Sequence, residues 1–318
     1  MQFDQRPLFS VIITTYNRRD VLPRAMASVL GQTCGAFELL VIDNGSTDDT
    51  GWVVERFNDP RIIYLRNPEP SSSCDAPRNL GIQQARGTWV AFLDDDDIWY
   101  PERLEKVRRA FEEGAGVAAV CHFENRRVNG DLNGVYKHGP GGRDLLEVLL
   151  YEGNCLSSCA MTIRTDLLRE LRGFTLKPEF DGAADYDLWI RLAARGARVQ
   201  IIEEPLGEFC VTGSNWSLCD ASFQAKVAGL VKEHLLMYEG KPIYSISRRG
   251  TWRLCELSYL AGRSFWRAGD YGNAIRFFSK VAGLLLVKPV LALAVLRKCA
   301  GRLPTPLRVS EHSAGSGG

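Results

Sequence analysis

The sequence predicts a doubly wound α/β protein with a mostly parallel sheet, followed by an α-helical region. Three observations carry this expectation. Short apolar runs alternate with amphipathic stretches through the first two-thirds of the chain. Those runs are nearly continuous in Val, Ile, Leu and Phe, as in strands covered on both faces. From about residue 222 onward the pattern is helical.

Residues 8–14 (LFSVIIT), 37–43 (FELLVID), 61–65 (RIIYL), 88–94 (TWVAFLD) and 117–122 (VAAVCH) read as strands. Helices are predicted between them at about 20–31, 47–57, 75–86 and 101–113. Start signals support two of these, Ser46-Thr47-Asp48-Asp49 and Pro101-Glu102. Alternation at this spacing implies βαβ units. Residues 124–142 read as an excursion, because Gly and Asn punctuate them. A helix is expected near 143–150, a strand near 158–164 and a longer helix at 183–196. Residues 267–289 read as a helical hairpin turning at Gly269-Asp270, and one such unit is too few for a free-standing solenoid. The domain boundaries expected are 1–220 for the α/β unit, 221–310 for the helical region and 311–318 for a disordered tail.

The composition is that of a soluble globular protein, with 45% hydrophobic and 24% charged residues among 318. Collagen, low-complexity and coiled-coil classes are excluded. The net charge of +1 conceals an asymmetry. Residues 1–220 carry 24 Lys+Arg against 33 Asp+Glu, whereas residues 221–310 carry 15 against 4. The nine cysteines form no CxxC pair, which fits reduced thiols and a cytoplasmic setting. Val281 to Leu296, the most apolar stretch, is broken by Lys288 and Pro289, so no transmembrane helix is expected. No recognition motif accompanies the basic region, so nucleic acid is not an expected partner.

Open parallel sheets bind ligands outside the carboxyl ends of their strands. There the sequence places four adjacent carboxylates, Asp94-Asp95-Asp96-Asp97. Such a run is either a solvated turn leading into the next helix or a hard-oxygen site for Mg²⁺ or Mn²⁺, which keep substrate phosphates in their shells.

Four segments in order resemble a family 2 glycosyltransferase of the GT-A fold across about residues 8–220. They are 10–17 (SVIITTYN), 41–50 (VIDNGSTDDT), 77–87 (PRNLGIQQARG) with 92–97 (FLDDDD), and 185–192 (DYDLWIRL). The resemblance implies an inverting enzyme that moves a sugar from a nucleoside diphosphate to a hydroxyl, in cell-surface polysaccharide or lipid-linked oligosaccharide synthesis. It implies nucleotide-sugar contacts from Thr14, Tyr16, Asp43, Asn44, Arg78, Asp94 and Asp95. It places the metal on Asp96 and Asp94, and the general base on Asp185, with Asp187 as runner-up. The sequence departs from the family at four positions. Asn44 stands where a second acidic residue is usual, Ala184 replaces a Glu, Cys210 stands where Arg is common, and Thr212 replaces a His that often helps bind metal or diphosphate.

Two other classes stay open: a non-catalytic nucleotide-sugar-binding or scaffold protein of the same fold, and a transferase acting on a small metabolite. A sugar nucleotidylyltransferase would carry a Gly-rich, Arg-containing loop after the first strand, and residues 14–18 (TTYNR) lack one. The basic region is either a solvated helical cap or a surface for an anionic membrane, which would make the protein peripheral on the inner face of the cell membrane.

Overall fold

The apolar runs form strands, and their alternate residues divide between two cores. On β1 (Phe9–Thr15), Phe9, Val11 and Ile13 pack on one face of the sheet and Ile12 on the other, all essentially inaccessible. The first face is covered by α1 (Leu22–Leu30) through Leu22, Met26 and Val29, and by α4 (Arg103–Glu113) through Leu104 and Val107. The second is covered by α3 (Asp75–Gln84) and α7 (Ala184–Ala194), whose Ile82 and Trp189 share Ile12's cluster. Covering both faces explains why the strand sequences barely alternate. The description comes from a computed structural model and covers residues 6–67, 69–211 and 222–287.

One sheet runs through the α/β unit in the order β3-β2-β1-β4-β8-β6-β9-β5, with β7 beside β6. Its first half is entirely parallel and matches the predicted strands: β3 (Ile62–Arg66), β2 (Phe37–Asp43), β1 and β4 (Trp89–Asp94). The registers Thr14↔Asp94 and Thr15↔Asp43 bring three strand ends to one rim. The helix α2 is shorter than predicted, Thr50–Glu55, and the start signal acts through Asp48, whose carboxylate accepts from the Thr50 N–H at 3.0 Å.

The second half of the sheet is mixed. Strand β8 (Met161–Arg164) runs antiparallel to both β4 and β6 (Val117–Val128), while β9 (Arg198–Val211) runs parallel to β6. Residues 124–142, read as an excursion, largely continue the sheet. The strand β6 extends to Val128 and returns as β7 (Asp131–Tyr136) through Asn129 and Gly130, both at positive φ. Strand β9, the two-residue β5 (Ile98–Trp99) and helix α6 (Thr165–Glu170) were not predicted. Helix α5 (Leu145–Tyr151) falls where a helix was expected.

Beyond residue 222 the described chain is helical: α8 (Phe223–Glu239), α9 (Arg248–Arg267) and α10 (Tyr271–Val287). The expected turn at Gly269-Asp270 separates α9 from α10, and Gly269 adopts φ 79°. Leu230, Val231 and Leu235 of α8 are fully buried in the same cluster as Trp189 and Ile190 of α7. Among described residues no helix is long and apolar enough to cross a membrane. The expected disordered tail at 311–318, and Thr212 with its departure from the family pattern, lie outside the described residues.

Candidate functional site

The site gathers on the rim where β1, β2 and β4 end, and each loop there is held by its neighbour. Asn17 follows β1 at φ 52°, a left-handed conformation that Asn tolerates. Its carboxamide oxygen accepts from the Thr47 N–H at 2.7 Å, and its own N–H donates to Ser46 Oγ at 2.8 Å. The β1 and β2 loops are therefore stitched together. Tyr16 stands clear of both at 54% exposure. Thr14 sits one residue inside β1, half-buried and in register with Asp94.

Asp43, at the end of β2, is buried and accepts from the Ser46 N–H at 2.7 Å and from the Tyr64 hydroxyl. Asn44 is buried as well. Its oxygen accepts from Asn67 Nδ2 at 2.9 Å and from the Ser71 N–H at 3.0 Å and Oγ at 3.3 Å, while its nitrogen donates to the Ser71 carbonyl at 2.8 Å. The acceptor oxygen is fully engaged, and one amide hydrogen remains.

Arg78 reaches the rim because α3 lies close on β1. A Cβ at Gly81 would come within 2.8 Å of the Ile12 side chain. The Arg78 guanidinium is buried, lies over the Phe174 ring at 5.3 Å and donates to Asp94 Oδ1 at 2.6 Å. Asp94 is the accessible member of the acidic run, with its side chain 38% exposed. Asp95, Asp96 and Asp97 are buried. Burial is the first cause that raises all three carboxyls, reinforced by their neighbours; Asp95 is pushed up to about 7, and Asp97 well above its ordinary value, with Asp94 and Glu124 adding to the effect.

Asp97 Oδ1 accepts from the Cys210 N–H at 2.7 Å, tying the run to β9, while its other oxygen is buried without a hydrogen-bond partner among the described residues. Ligand atoms of Asp94, Asp97 and Cys159 lie within 4.8 Å of one another. The accessible Asp94 carboxylate beside the buried, unsatisfied oxygen of Asp97 offers hard oxygen donors suited to a divalent cation. Asp96, the ligand expected from the sequence, lies outside that trio; its backbone carbonyl accepts from Arg24 at 2.9 Å.

Asp185 and Asp187 share the first turn of α7 but have different surroundings. Asp185 accepts from the adjacent Tyr186 N–H at 2.6 Å. Burial raises it to about 6, against the lowering influence of Arg78, while Asp75 and Asp94 add to the rise. Asp187 is paired through both oxygens, with Arg191 Nε at 2.7 Å and His234 Nε2 of α8 at 2.9 Å. Burial alone would raise Asp187, but these two partners hold it below the ordinary carboxylate value. The chemistry of this rim is thus a carboxylate cluster beside an arginine, with a half-buried carboxylate of raised pKa close by.

The sequence profile of glycosyl transferase family 2 matches residues 10–172. The chain belongs to glycosyl transferase family 2. Among curated relatives, it is 29% identical over 219 residues to the Bacillus subtilis protein TuaG, named for teichuronic acid biosynthesis, covering 67% of this chain and 82% of that one. It is 26% identical over 195 residues to the Escherichia coli enzyme WfaP, named a UDP-Glc:α-D-GlcNAc-diphosphoundecaprenol β-1,3-glucosyltransferase, covering 61% and 73%. Among solved structures, Staphylococcus aureus TarS 1–349 with UDP-GlcNAc superposes with a TM-score of 0.59 at 18% identity, over 84% of this chain and 89% of that one. The mannosyltransferase PcManGT of Pyrobaculum calidifontis, with GDP-Man and Mn²⁺, gives 0.55 at 18% identity over 93% and 87%. The fold is the GT-A fold with C-terminal helices, and the protein is a glycosyltransferase.

Several residues of this glycosyltransferase's rim escaped sequence reasoning. Cys159 precedes β8 and accepts from the Asp94 N–H at 3.3 Å. Glu124 is buried, pairs with His138 at 2.8 Å and raises Asp97. His234 comes from the helical region. None carries a local signal, because antiparallel pairing and helix docking bring them in from distant sequence. His122, in β6, is a packed, hydrogen-bonded residue. It is fully buried, accepts from Arg103 Nε at 3.1 Å and donates from Nδ1 to the Phe123 carbonyl at 2.7 Å.

Proposed function

We propose that this glycosyltransferase moves a hexosyl unit from a nucleoside diphosphate sugar to a hydroxyl of a saccharide or lipid-linked acceptor, with inversion, in cell-surface polysaccharide synthesis. The observation that carries the reading is Asp185, with a pKa raised to about 6 beside the Arg78–Asp94 pair. A base needs to be ionised at neutral pH yet basic enough to take a proton, and a value near 6 meets both needs.

In the reaction, the acceptor hydroxyl gives its proton to the Asp185 carboxylate as its oxygen attacks the anomeric carbon. The bond from that carbon to the diphosphate breaks on the opposite side, so the configuration inverts. Thr14, Tyr16, Asp43, Asn44, Arg78, Asp94 and Asp95 hold the donor. Tyr16 offers an exposed ring to the base, and Asn44 its one unspent N–H, which suits a base carbonyl. Arg78 faces the diphosphate.

Asp94 would hold Mg²⁺ or Mn²⁺ together with Asp96, as the resemblance implies, or with Asp97, which lies beside it. When bound, the ion supplies Lewis-acid neutralisation of the departing diphosphate. The named donors and acceptors of WfaP and TarS support a nucleotide-sugar donor and a lipid-linked acceptor. Such an acceptor places the enzyme at the cytoplasmic face of an anionic membrane.

The test is turnover of a panel of UDP- and GDP-sugars with Mn²⁺ and saccharide or prenyl-diphosphate-linked acceptors, with the product's anomeric configuration read by NMR. An inverted product supports the proposal. Nucleotide binding without product from any pair would return the protein to the nucleotide-sugar-binding class.

A further inference from the structure

The helical region carries two features that the donor site does not use. At the α9–α10 corner, Trp266 and Tyr271 are each 55% exposed and pack edge-on with ring centroids 4.9 Å apart. Ile275, one turn along α10, is 62% exposed. Alongside, Arg276 and Lys280 on α10 and Lys232 on α8 are exposed. They are close enough that Arg276 and Lys232 both depress the Lys280 ammonium, after the burial that is the larger cause.

On α9, two cations are neutralised: Arg249 pairs with Glu147 at 2.7 Å and Arg253 with Glu256 at 3.0 Å. Among the described residues no carboxylate forms an ion pair with Lys232, Arg276 or Lys280. Like charges gathered without a counter-ion cost energy in the free protein, and an anionic partner offsets that cost. On α10, Tyr271 and Ile275 lie 40° apart around the axis, and Arg276 and Lys280 lie a further 100–140° on, by the roughly 100° step of an α-helix. The apolar edge and the cationic edge therefore flank the same exposed half of the helix, with Gly272 and Ser279 exposed between them.

We infer that the face formed by Trp266, Tyr271, Ile275, Lys232, Arg276 and Lys280 docks on an anionic phospholipid bilayer. Exposed Trp and Tyr have an apolar body and a polar tip, and so settle at the headgroup boundary. Lysine and arginine keep their charges in the headgroup layer while their stems lie along apolar surface. A protein surface would be met by paired, shape-fitted residues, whereas cations without a carboxylate partner among the described residues, beside two exposed rings, suit a fluid, anionic plane. Lys280 lies over the Phe277 ring at 4.0 Å, which leaves its charge uncompensated. Charge complementarity extends over the whole region, since residues 222–287 hold 10 Lys+Arg against 4 Asp+Glu. By sequence, residues 288–310 add five more cations and no acid.

This inference rests on the membrane setting proposed above, and it names the surface that meets the membrane. Its test uses the full chain and vesicles alone, without donor or acceptor, so it can fail while turnover stands, or stand while turnover fails. The probe is flotation at low salt with phosphatidylcholine vesicles, with and without phosphatidylglycerol. The chain is expected on the anionic vesicles only. Lys232→Glu/Arg276→Glu/Lys280→Glu should lower partitioning by at least about a hundredfold, at roughly fivefold per lost cation or more. Trp266→Phe should lose most of the vesicle-induced blue shift of tryptophan emission while keeping its binding at low salt. Unchanged circular dichroism melting of these surface variants separates lost docking from lost folding. Binding to anionic vesicles that the charge reversal leaves intact would overturn the inference, as would no binding at all. A dimer dissolved by the same substitutions, with vesicle binding unaffected, would make the face a self-association surface and overturn it equally.

Discussion

The two ends of the rim are built on different plans. The donor end, where β1, β2 and β4 finish, is stitched by local loops: Asn17 to Ser46 and Thr47, Asp43 to Ser46, Asn44 to Ser71. Its polar atoms are spent on one another before any ligand arrives. The other end, on α7, is held from a distance, by His234 of α8 on Asp187. The contrast within α7 is sharpest. Asp187 has two partners and is held below the ordinary carboxylate value, whereas Asp185, among the described residues, accepts only from its neighbour's N–H and is raised to about 6. In the proposed mechanism, partner-rich carboxylates build the frame and the partner-poor one takes the proton.

This contrast can be broken in stages. The largest effect is expected from the acidic run. Asp96→Asn should weaken Mn²⁺ binding, read by electron paramagnetic resonance, and lower kcat/KM by about a hundredfold or more, because several kcal/mol of charge stabilisation are at stake. If Asp97→Asn removes the ion while Asp96→Asn keeps it, the second ligand is Asp97, as its place beside Asp94 and Cys159 allows.

Arg78→Gln comes next. A charge-assisted contact to the diphosphate should be worth about ten- to a hundredfold in donor affinity, measured by calorimetry. The smallest effect should appear at His234. Its replacement by Ala leaves one oxygen of a buried carboxylate unpaired and should cost about 1–3 kcal/mol of stability. The donor dissociation constant should not move. The sign with pH follows from Asp187's lowered pKa. Its contribution is present above the ordinary carboxylate value and is lost as pH falls through the folded value. Wild type and His234→Ala should therefore converge in acid.

The sequence made the donor half legible for a physical reason. Parallel strands buried on both faces need nearly continuous apolar runs, and loops between them must carry polar residues at the strand ends, so both fold and site show locally. The acidic run stood out by that reasoning, whereas Thr14, Asp43 and Arg78 were implied by the resemblance to family 2 glycosyltransferases. The second half was harder to read. Strand β9 contains Glu203 and Glu204 and has a mostly half-buried first part, so its pattern resembles neither a buried run nor a clean alternation. The β6–β7 hairpin exposes every residue of β7, and its Gly and Asn punctuation looks like a loop. Cys159, Glu124 and His234 reach the rim through tertiary pairing, which leaves no periodic trace.

The account's central claim is that Asp185 is the base and Asp187 part of the frame. It is tested most directly by measuring kcat and donor Kd together for Asp185→Asn and Asp187→Asn, with the wild-type pH profile alongside. The account predicts that Asp185→Asn loses about 10²–10⁴-fold in kcat with donor Kd unchanged. In the wild type, kcat/KM should rise with pH through about 6 as Asp185 ionises in the free enzyme. Asp187→Asn should lose stability first and retain the chemistry. An Asp185→Asn enzyme that turns over within about tenfold of wild type, beside an inactive and fully stable Asp187→Asn, would contradict it.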